Sequence, residues 1–253
     1  MKVALLQYPL VWENPAANRK AFEERIKTIE KVDLILLPEM FSTGFTMSPE
    51  KVAETMDGAT VGWMREMASE SDAAIAGSLV MSEDGNFYNR LLFVEPSGRI
   101  TSYDKRHLFS LAGEHRVYKP GTEKVVVEFR GFKICLQVCY DLRFPAFSRN
   151  VEDYDLLVYV ANWPQPRIQA WNALLKARAI ENMCYVAAVN RTGTDDTGHN
   201  YPGHSQIVDC LGNYVCEPSE QEGVIYAALD RDAMLESRKK FGFLDDRDQI
   251  IVK

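Results

Sequence analysis

Residues 133–145 read KICLQVCYDLRFP, which is the pattern of a strand followed by a sharp turn. A run rich in Ile, Leu and Val that ends at Cys139 is typical of a buried strand. The polar residues that follow and Pro145 break the strand, so a sharp turn begins at the thiol. A thiol at such a turn is held in a fixed, exposed position beside backbone N–H groups, which is what a nucleophile requires. A packing role is the alternative, because free cysteines are among the most buried residues.

Strands and helices alternate along the chain without a linker, which favours one α/β domain over residues 1–253. Continuous apolar strands between helices indicate sheets buried on both faces, and hairpins add antiparallel pairs, so the sheets are mixed. The predicted strands cover 2–7, 32–37, 73–80, 88–95, 99–104, 124–129, 133–139, 154–160, 184–190, 206–209, 214–217 and 223–229. The predicted helices cover 15–32, 61–71 and 167–183, and a last one begins near Arg231.

Charge and composition exclude several classes of protein. The net charge of -7 argues against a nucleic-acid partner, which would favour clustered Lys and Arg. No segment reaches the roughly 18 apolar residues of a membrane span, and the first residues lack the apolar core of a secretory signal. Five cysteines without regular spacing predict no disulfide framework, and no metal-ligand spacing links them to the four histidines. We therefore expect a cytoplasmic protein that uses no metal and no cofactor.

Two charged residues follow predicted strands in the same way as Cys139 does. Glu39 comes directly after the second predicted strand and Pro38, and Lys105 follows the fifth. Because the ends of strands converge in α/β folds, these three side chains can meet. Glu39 can take the thiol proton, while Lys105 and the backbone N–H of Tyr140 can hold an oxyanion. With Glu39 then activating water, the trio predicts an acyl-transfer hydrolase that forms a thioester.

Three ordered motifs resemble those of the nitrilase, or carbon–nitrogen hydrolase, superfamily: Leu-Pro-Glu at 37–39, Tyr-Asp-Lys at 103–105 and Cys-Tyr-Asp-Leu-Arg-Phe-Pro at 139–145. The resemblance covers nearly the whole chain. It implies a four-layer α-β-β-α sandwich with two mixed sheets, a catalytic Glu-Lys-Cys triad and a homodimer. It also implies a second glutamate after the lysine motif, a place that Glu114 fits. The helix around 177–182 is implied to pack near the active site and the dimer interface.

Residues 37–45, 105–109 and 159–164 resemble the omega-amidase branch of that superfamily. The resemblance implies hydrolysis of the terminal amide of 2-oxoglutaramate or 2-oxosuccinamate to the 2-oxo dicarboxylate and ammonia. Such enzymes usually act downstream of glutamine transaminases, as in methionine salvage. An N-carbamoyl-amine hydrolase or an aliphatic nitrilase would use the same triad on another substrate, and both remain alternatives.

Arg143 is the candidate for binding the carboxylate of such a substrate. Many relatives carry Glu after Arg-Phe-Pro, whereas this chain has Ala146, which frees the guanidinium to face the pocket. A planar guanidinium suits a carboxylate, but an internal salt bridge with Asp141 or Asp155 is the competing interpretation. The other predicted substrate-binding residues are Tyr140, Trp163, Phe45 and Phe109. For the aromatic residues, core packing is the alternative role.

Two hypotheses of other classes are less favoured. A non-catalytic binding protein that keeps the fold is disfavoured because all three triad residues are present. A thiol redox sensor needs a resolving cysteine, and Cys135 lies four residues before Cys139 on the same strand. At about 3.3 Å per residue the two are roughly 13 Å apart, which is too far for a disulfide. A small-molecule amide and water are the predicted partners.

Overall fold

Two six-stranded β-sheets lie at the centre of the molecule in the computed structural model, which describes residues 1–248 and 250. The strands are β1 (Lys2–Gln7), β2 (Leu34–Leu36), β3 (Ala74–Glu83), β4 (Asn86–Val94), β5 (Ile100–Asp104), β6 (Val125–Phe129), β7 (Phe132–Val138), β8 (Leu156–Ala161), β9 (Tyr185–Asn190), β10 (Thr192–Thr194), β11 (Asn200–Pro202), β12 (Gln206–Val208), β13 (Tyr214–Cys216) and β14 (Gly223–Ala228). The helices are α1 (Pro15–Ile26), α2 (Ala59–Ser71), α3 (Glu114–Val117), α4 (Pro145–Ser148), α5 (Ile168–Asn182) and α6 (Arg231–Phe241).

Both large sheets are mixed. The first has the order β14-β1-β2-β3-β4-β5, in which β1–β2 and β2–β3 are parallel and the other neighbours antiparallel. The second has the order β6-β7-β8-β9-β12-β13, in which β7–β8 and β8–β9 are parallel. Read in these orders, both sheets have the same pattern of pairing: one antiparallel pair, then two parallel pairs, then two antiparallel pairs. The predicted α/β fold with two mixed sheets is confirmed.

Alternation along the strands builds the layers. In β1, Ala4 and Leu6 pack with α1 and α2, whereas Val3 and Leu5 belong to the core between the sheets. An edge-to-face contact between Phe93 and Phe129, with ring centroids 5.6 Å apart, joins the two sheets directly. Helices α5 and α6 contribute their buried side chains to the core of the second sheet. The result is an α-β-β-α sandwich.

The first helix is shorter than the predicted range 15–32. Its start follows the expected rules, since Pro15 occupies the first turn and the Asn14 side chain accepts a hydrogen bond from the Ala17 N–H. It ends at Ile26, and the Thr28 hydroxyl donates to the carbonyl of Arg25. Such a side-chain bond to the backbone competes with helix continuation, which the apolar periodicity could not reveal.

Two differences in the strands bear on the site. The seventh predicted strand, 133–139, ends one residue earlier, at Val138, so that Cys139 belongs to the turn. The short hairpin of β10 and β11 was not predicted at all. Each of its strands has three residues, and the segment between them is rich in Gly, Asp and Thr, which is typical of a loop.

Four strand ends position the site. Lys105, Cys139 and Asn162 each follow the last residue of β5, β7 and β8, and Glu39 lies three residues beyond β2. Strands β2, β7 and β8 each take part in a parallel pair, so the convergence of their carboxyl ends follows from the sheet topology.

Candidate active site

The turn after β7 holds Cys139 in an uncommon backbone conformation. Cys139 has φ 44, in the left-handed region, and begins a 3-10 turn over Cys139–Arg143. The buried carboxylate of Asp141 stabilises this turn, because Oδ2 accepts hydrogen bonds from the Val138 N–H at 3.0 Å and from the Tyr103 hydroxyl at 2.7 Å. A change of direction at this point aims the thiol away from the strand.

Cys139 is more buried than the sequence led us to expect. The residue is 9% exposed and belongs to the core between the sheets, so the predicted exposed thiol is wrong. Its Sγ lies 4.0 Å from the carbonyl oxygen of Asn162, which itself follows β8. Burial arises because the turn faces a second strand end rather than solvent. The remaining contact with the outside is through a cavity.

Lys105 lies between two carboxylates. Its Nζ is 2.8 Å from Glu39 Oε1, and it is 3.0 and 2.9 Å from the two carboxylate oxygens of Glu114. All three side chains are fully buried. Buried ions are tolerated when they are paired and their remaining hydrogen-bonding groups are satisfied.

One asparagine side chain and two backbone amides also donate to the two carboxylates. Asn89 Nδ2 donates to Glu39 Oε1 at 2.8 Å and to Glu114 Oε1 at 3.2 Å. The Asn162 N–H donates to Glu39 Oε2 at 2.9 Å, and its Nδ2 donates to the Glu39 carbonyl at 2.6 Å. The Phe109 N–H donates to Glu114 Oε2 at 2.5 Å. Both carboxylates are therefore fixed in position.

The network shifts the proton affinities of its members. Burial raises the pKa of the Cys139 thiol well above its ordinary value, and the negative charge of Glu39 adds to this while Lys105 opposes it. Burial, reinforced by Glu39, also raises the pKa of Glu114 against the opposing effect of Lys105. Burial alone would lower the pKa of Lys105, but the charges of Glu114 and Glu39 reverse this and raise it. The resting site therefore holds a neutral thiol beside a charged ammonium.

A cavity of about 250 Å³ opens onto these groups. That volume lies below the usual range of about 300–1,000 Å³ for drug-sized ligands, so it fits a small molecule. Its lining residues are Phe45, Met47, Lys105, Phe109, Ala112, Cys139, Tyr140, Arg143, Asn162, Trp163, Pro164, Arg167, Asp195, Thr197, His199 and Tyr201.

All five predicted substrate-binding residues line this cavity. Lys105 Nζ lies 5.1 Å from the centre of the Phe45 ring, and the Phe109 ring meets Tyr140 edge to face at 4.9 Å. The guanidinium of Arg143 lies 5.0 Å from the centre of the Trp163 ring. The aromatic residues thus form walls of the cavity, and Trp163 is also largely buried in the core.

The competing interpretation of Arg143, an internal salt bridge, is wrong. Asp141 is bonded to Tyr103 and His107, and Asp155 is bonded to Arg231 and Arg238. Within the described residues, no carboxylate forms an ion pair with Arg143.

The sequence did not predict several residues of the site. Asn89 offered one signal in the sequence, because asparagine is uncommon in the middle of a strand. In the structure its side chain is completely buried. Arg167 occupies a 3-10 turn before α5 and gave no distinguishing pattern. The β10–β11 hairpin brings Asp195, Thr197 and Tyr201 into the cavity wall, and its short strands gave no periodicity to follow.

A family model described as carbon-nitrogen hydrolase matches residues 2–239. The chain belongs to the carbon–nitrogen hydrolase family. It is therefore a hydrolase that acts on carbon–nitrogen bonds, and the predicted resemblance to the nitrilase superfamily is confirmed.

Relatives and a solved structure extend this result over the whole chain. An omega-amidase YafV of Yersinia enterocolitica is 45% identical over 100% of this chain and 98% of its own length. A 2-oxoglutaramate amidase of Bacillus subtilis is 33% identical over 96% of both chains. The crystal structure of XC1258 from Xanthomonas campestris is 42% identical with a TM-score of 0.97, covering 100% of this chain and 99% of that one. That structure is described as a CN-hydrolase superfamily protein with an arsenic adduct in the active site.

In the described part of the chain, no group of three or more His, Cys, Asp or Glu side chains is arranged to hold a metal ion. Among residues 1–248 and 250, no helix has the length and apolar character needed to cross a bilayer.

Proposed function

We propose that this hydrolase is an omega-amidase. It would cleave the terminal amide of small omega-amido 2-oxo acids, 2-oxoglutaramate and 2-oxosuccinamate, to the dicarboxylate and ammonia. The observation that carries the proposal is one small cavity with Cys139, Lys105 and Arg143 in its wall, where Arg143 has no ion-pair partner among the described residues. The relatives named omega-amidase and 2-oxoglutaramate amidase support the same substrate class.

Cys139 is the proposed nucleophile and Glu39 the proposed base. The sulfur attacks the amide carbon as its proton moves to Glu39, which suits a thiol that is neutral at rest. The oxyanion of the tetrahedral intermediate accepts hydrogen bonds from Lys105 Nζ and the Tyr140 N–H. The carbon–nitrogen bond then breaks, the proton on Glu39 passes to the leaving nitrogen, and ammonia departs from a thioester.

Hydrolysis of the thioester reuses the same groups. Glu39 takes a proton from water, whose oxygen attacks the acyl carbon, and the sulfur leaves and recovers its proton. Glu114 contributes by holding Lys105 through both carboxylate oxygens, so that the ammonium keeps its position while Glu39 changes charge. Two carboxylates around one ammonium let one of them gain and lose a proton without leaving Lys105 unpaired.

Arg143 is proposed to bind the carboxylate at the end of the substrate opposite the amide. Its stacking on Trp163 holds the guanidinium at the cavity, and five N–H donors can bind a carboxylate in a two-bond arrangement. Tyr140, Phe45, Phe109 and Trp163 would enclose the short carbon chain between the carboxylate and the amide.

Ammonia release from 2-oxoglutaramate and glutaramate by purified protein tests the proposal. We expect release by wild type and none by Cys139→Ala, with trapping of a thioester by hydroxylamine in the wild type alone. Release from a nitrile or an N-carbamoyl amine faster than from either amide would move the protein to the alternative activities. Normal turnover by Cys139→Ala would remove the whole mechanism.

We also propose that residues 1–253 form one domain and that the protein is cytoplasmic. It would act downstream of a glutamine transaminase, as in methionine salvage.

We further propose that the protein is a homodimer, which exposed apolar side chains support. Ile180 on α5 is 50% exposed and Leu211 is 46% exposed. A β-carbon added at Gly212 would lie 2.7 Å from Ile180 Cδ1, so these residues form one surface. Light scattering should give twice the monomer mass for wild type and the monomer mass for Ile180→Glu; a monomeric wild type would contradict this.

A further inference from the structure

A second guanidinium lies in the wall of the cavity. Arg167 comes from the 3-10 turn between β8 and α5, and its guanidinium carbon lies 5.0 Å from the centre of the Phe109 ring. Arg143 has the same relation to Trp163, also at 5.0 Å. Stacking on a ring within about 6 Å is favourable and holds each cation in place. The two arginines therefore reach one cavity from different segments of the chain.

Arg143 and Arg167 both lack an acidic partner among the described residues. In the part of the chain that the structure describes, no carboxylate lies within ion-pair distance of either guanidinium. Asp195 also lines the cavity, but its own hairpin uses its oxygens. Oδ1 accepts hydrogen bonds from Thr197 and the His199 N–H, and Oδ2 accepts one from the Tyr201 hydroxyl at 2.7 Å. Within the described residues, both guanidiniums are therefore without an ion-pair partner and can bind a ligand.

The charge is distributed unevenly along the cavity. At the sulfur, one ammonium is shared by Glu39 and Glu114, which gives that end no excess of positive charge. Elsewhere in the lining, the two guanidiniums outnumber the one carboxylate, that of Asp195, which leaves a net positive charge. An anionic ligand group is therefore repelled by the carboxylates and attracted to the arginines, which orients a substrate with its neutral amide at Cys139.

We propose that Arg167 is a specificity-determining residue that donates hydrogen bonds to the 2-oxo group of the substrate while Arg143 binds the adjacent carboxylate. One guanidinium satisfies a carboxylate by itself through two parallel bonds. A 2-oxo acid offers a further acceptor beside it, which a second guanidinium can use. This inference rests on the proposed amidase function and assigns the 2-oxo part of its substrate class to Arg167.

The matched substrates 2-oxoglutaramate and glutaramate test the assignment, because they differ only in the 2-oxo group. Wild type should prefer 2-oxoglutaramate, and Arg167→Met should lower kcat/KM for it by roughly tenfold or more. The same variant should lower kcat/KM for glutaramate by a clearly smaller factor, because glutaramate loses only the attraction of its carboxylate to the Arg167 charge and no hydrogen bond to a 2-oxo group. Arg167→Lys should recover part of the preference. An equal loss on both substrates would overturn the assignment, as would a wild type without any preference.

Arg65→Met is the matched control, since Arg65 is exposed on α2 outside the cavity lining and should leave both substrates unaffected. The fold is expected to survive Arg167→Met because the contact that anchors Trp163 uses the Arg167 carbonyl, which accepts from Trp163 Nε1 at 2.8 Å. If wild type releases ammonia from neither amide, the proposed function fails and binding takes over as the readout. Calorimetry with 2-oxoglutarate and glutarate should then show a preference for the 2-oxo ligand that Arg167→Met abolishes; equal affinities in wild type would overturn the inference.

Discussion

His107 Nδ1 lies 2.8 Å from Asp141 Oδ1. His107 comes two residues after Lys105, and Asp141 comes two residues after Cys139. The His107 N–H donates to the same oxygen at 3.0 Å. The imidazole ring also stacks on Phe144 with centroids 3.8 Å apart and an interplanar angle of 4°. The loop that carries the ammonium and the turn that carries the thiol are thereby joined behind the site.

Breaking this connection should lower kcat more than it changes KM. His107 is outside the cavity lining, so substrate binding keeps its contacts, while small displacements of Lys105 relative to Cys139 are costly for the reaction. We expect His107→Leu to reduce kcat by roughly tenfold or more with KM changed less than about threefold. Steady-state kinetics of ammonia release measure both constants.

Replacement of His107 by asparagine separates positioning from packing. Asn retains an N–H donor close to the place of Nδ1 but loses the stacked ring. We expect His107→Asn to recover most of kcat. A loss as large as that of His107→Leu would mean that the stacking on Phe144, and not the bond to Asp141, holds the two segments together.

The reactivity of Cys139 should increase with pH through the alkaline range. Burial and the charge of Glu39 raise the pKa of the thiol, so its neutral form is favoured in the folded protein and less thiolate exists at pH 7 than in a free thiol. Alkylation by iodoacetamide should therefore be slower at pH 7 than that of a small-molecule thiol and should not level off in the neutral range. Mass spectrometry of the peptide follows Cys139, with Cys139→Ala as the blank. A rate that reaches its plateau below pH 7 would show that the thiolate is already present at rest.

The strand-end argument predicted the convergence of Glu39, Lys105 and Cys139, and hydrophobic runs predicted most of the sheet strands. Both depend on strong local patterns, namely apolar residues followed by a single charged or nucleophilic residue. Glu114 lies in a four-residue helix without such a pattern and could be named only from the resemblance to the family.

Features that depend on distant packing were not accessible in this way. Cys139 is buried because the turn after β7 packs against Asn162 at the end of β8, which is distant in sequence. The preference of Asp141 for Tyr103 and His107 over Arg143 is decided by the direction of the turn. Tertiary structure determines both the burial of Cys139 and the partners of Asp141, because the local sequence is compatible with several arrangements.

Asn89 should prove important for stability as well as for activity. Its amide donates to both Glu39 and Glu114, and leucine at this position would leave two buried carboxylate oxygens without that donor. We expect Asn89→Leu to lower the free energy of unfolding by about 1–3 kcal/mol, measured by urea denaturation. Asn86→Leu, at the start of the same strand and half-buried, is the control and should have a smaller effect. A stability equal to that of wild type would mean that the carboxylates find other donors.

Arg143→Met should weaken the binding of carboxylate-bearing amides selectively. Glutaramate presents a carboxylate to the guanidinium, whereas pentanediamide has the same length and a neutral amide in its place. We expect KM for glutaramate to rise by roughly tenfold or more and KM for pentanediamide to change little, because the lost interaction is a charge-assisted hydrogen bond. Methionine keeps an unbranched side chain against Trp163, which limits the loss of packing. Equal increases for both substrates would mean that Arg143 supports the Trp163 wall without recognising the carboxylate.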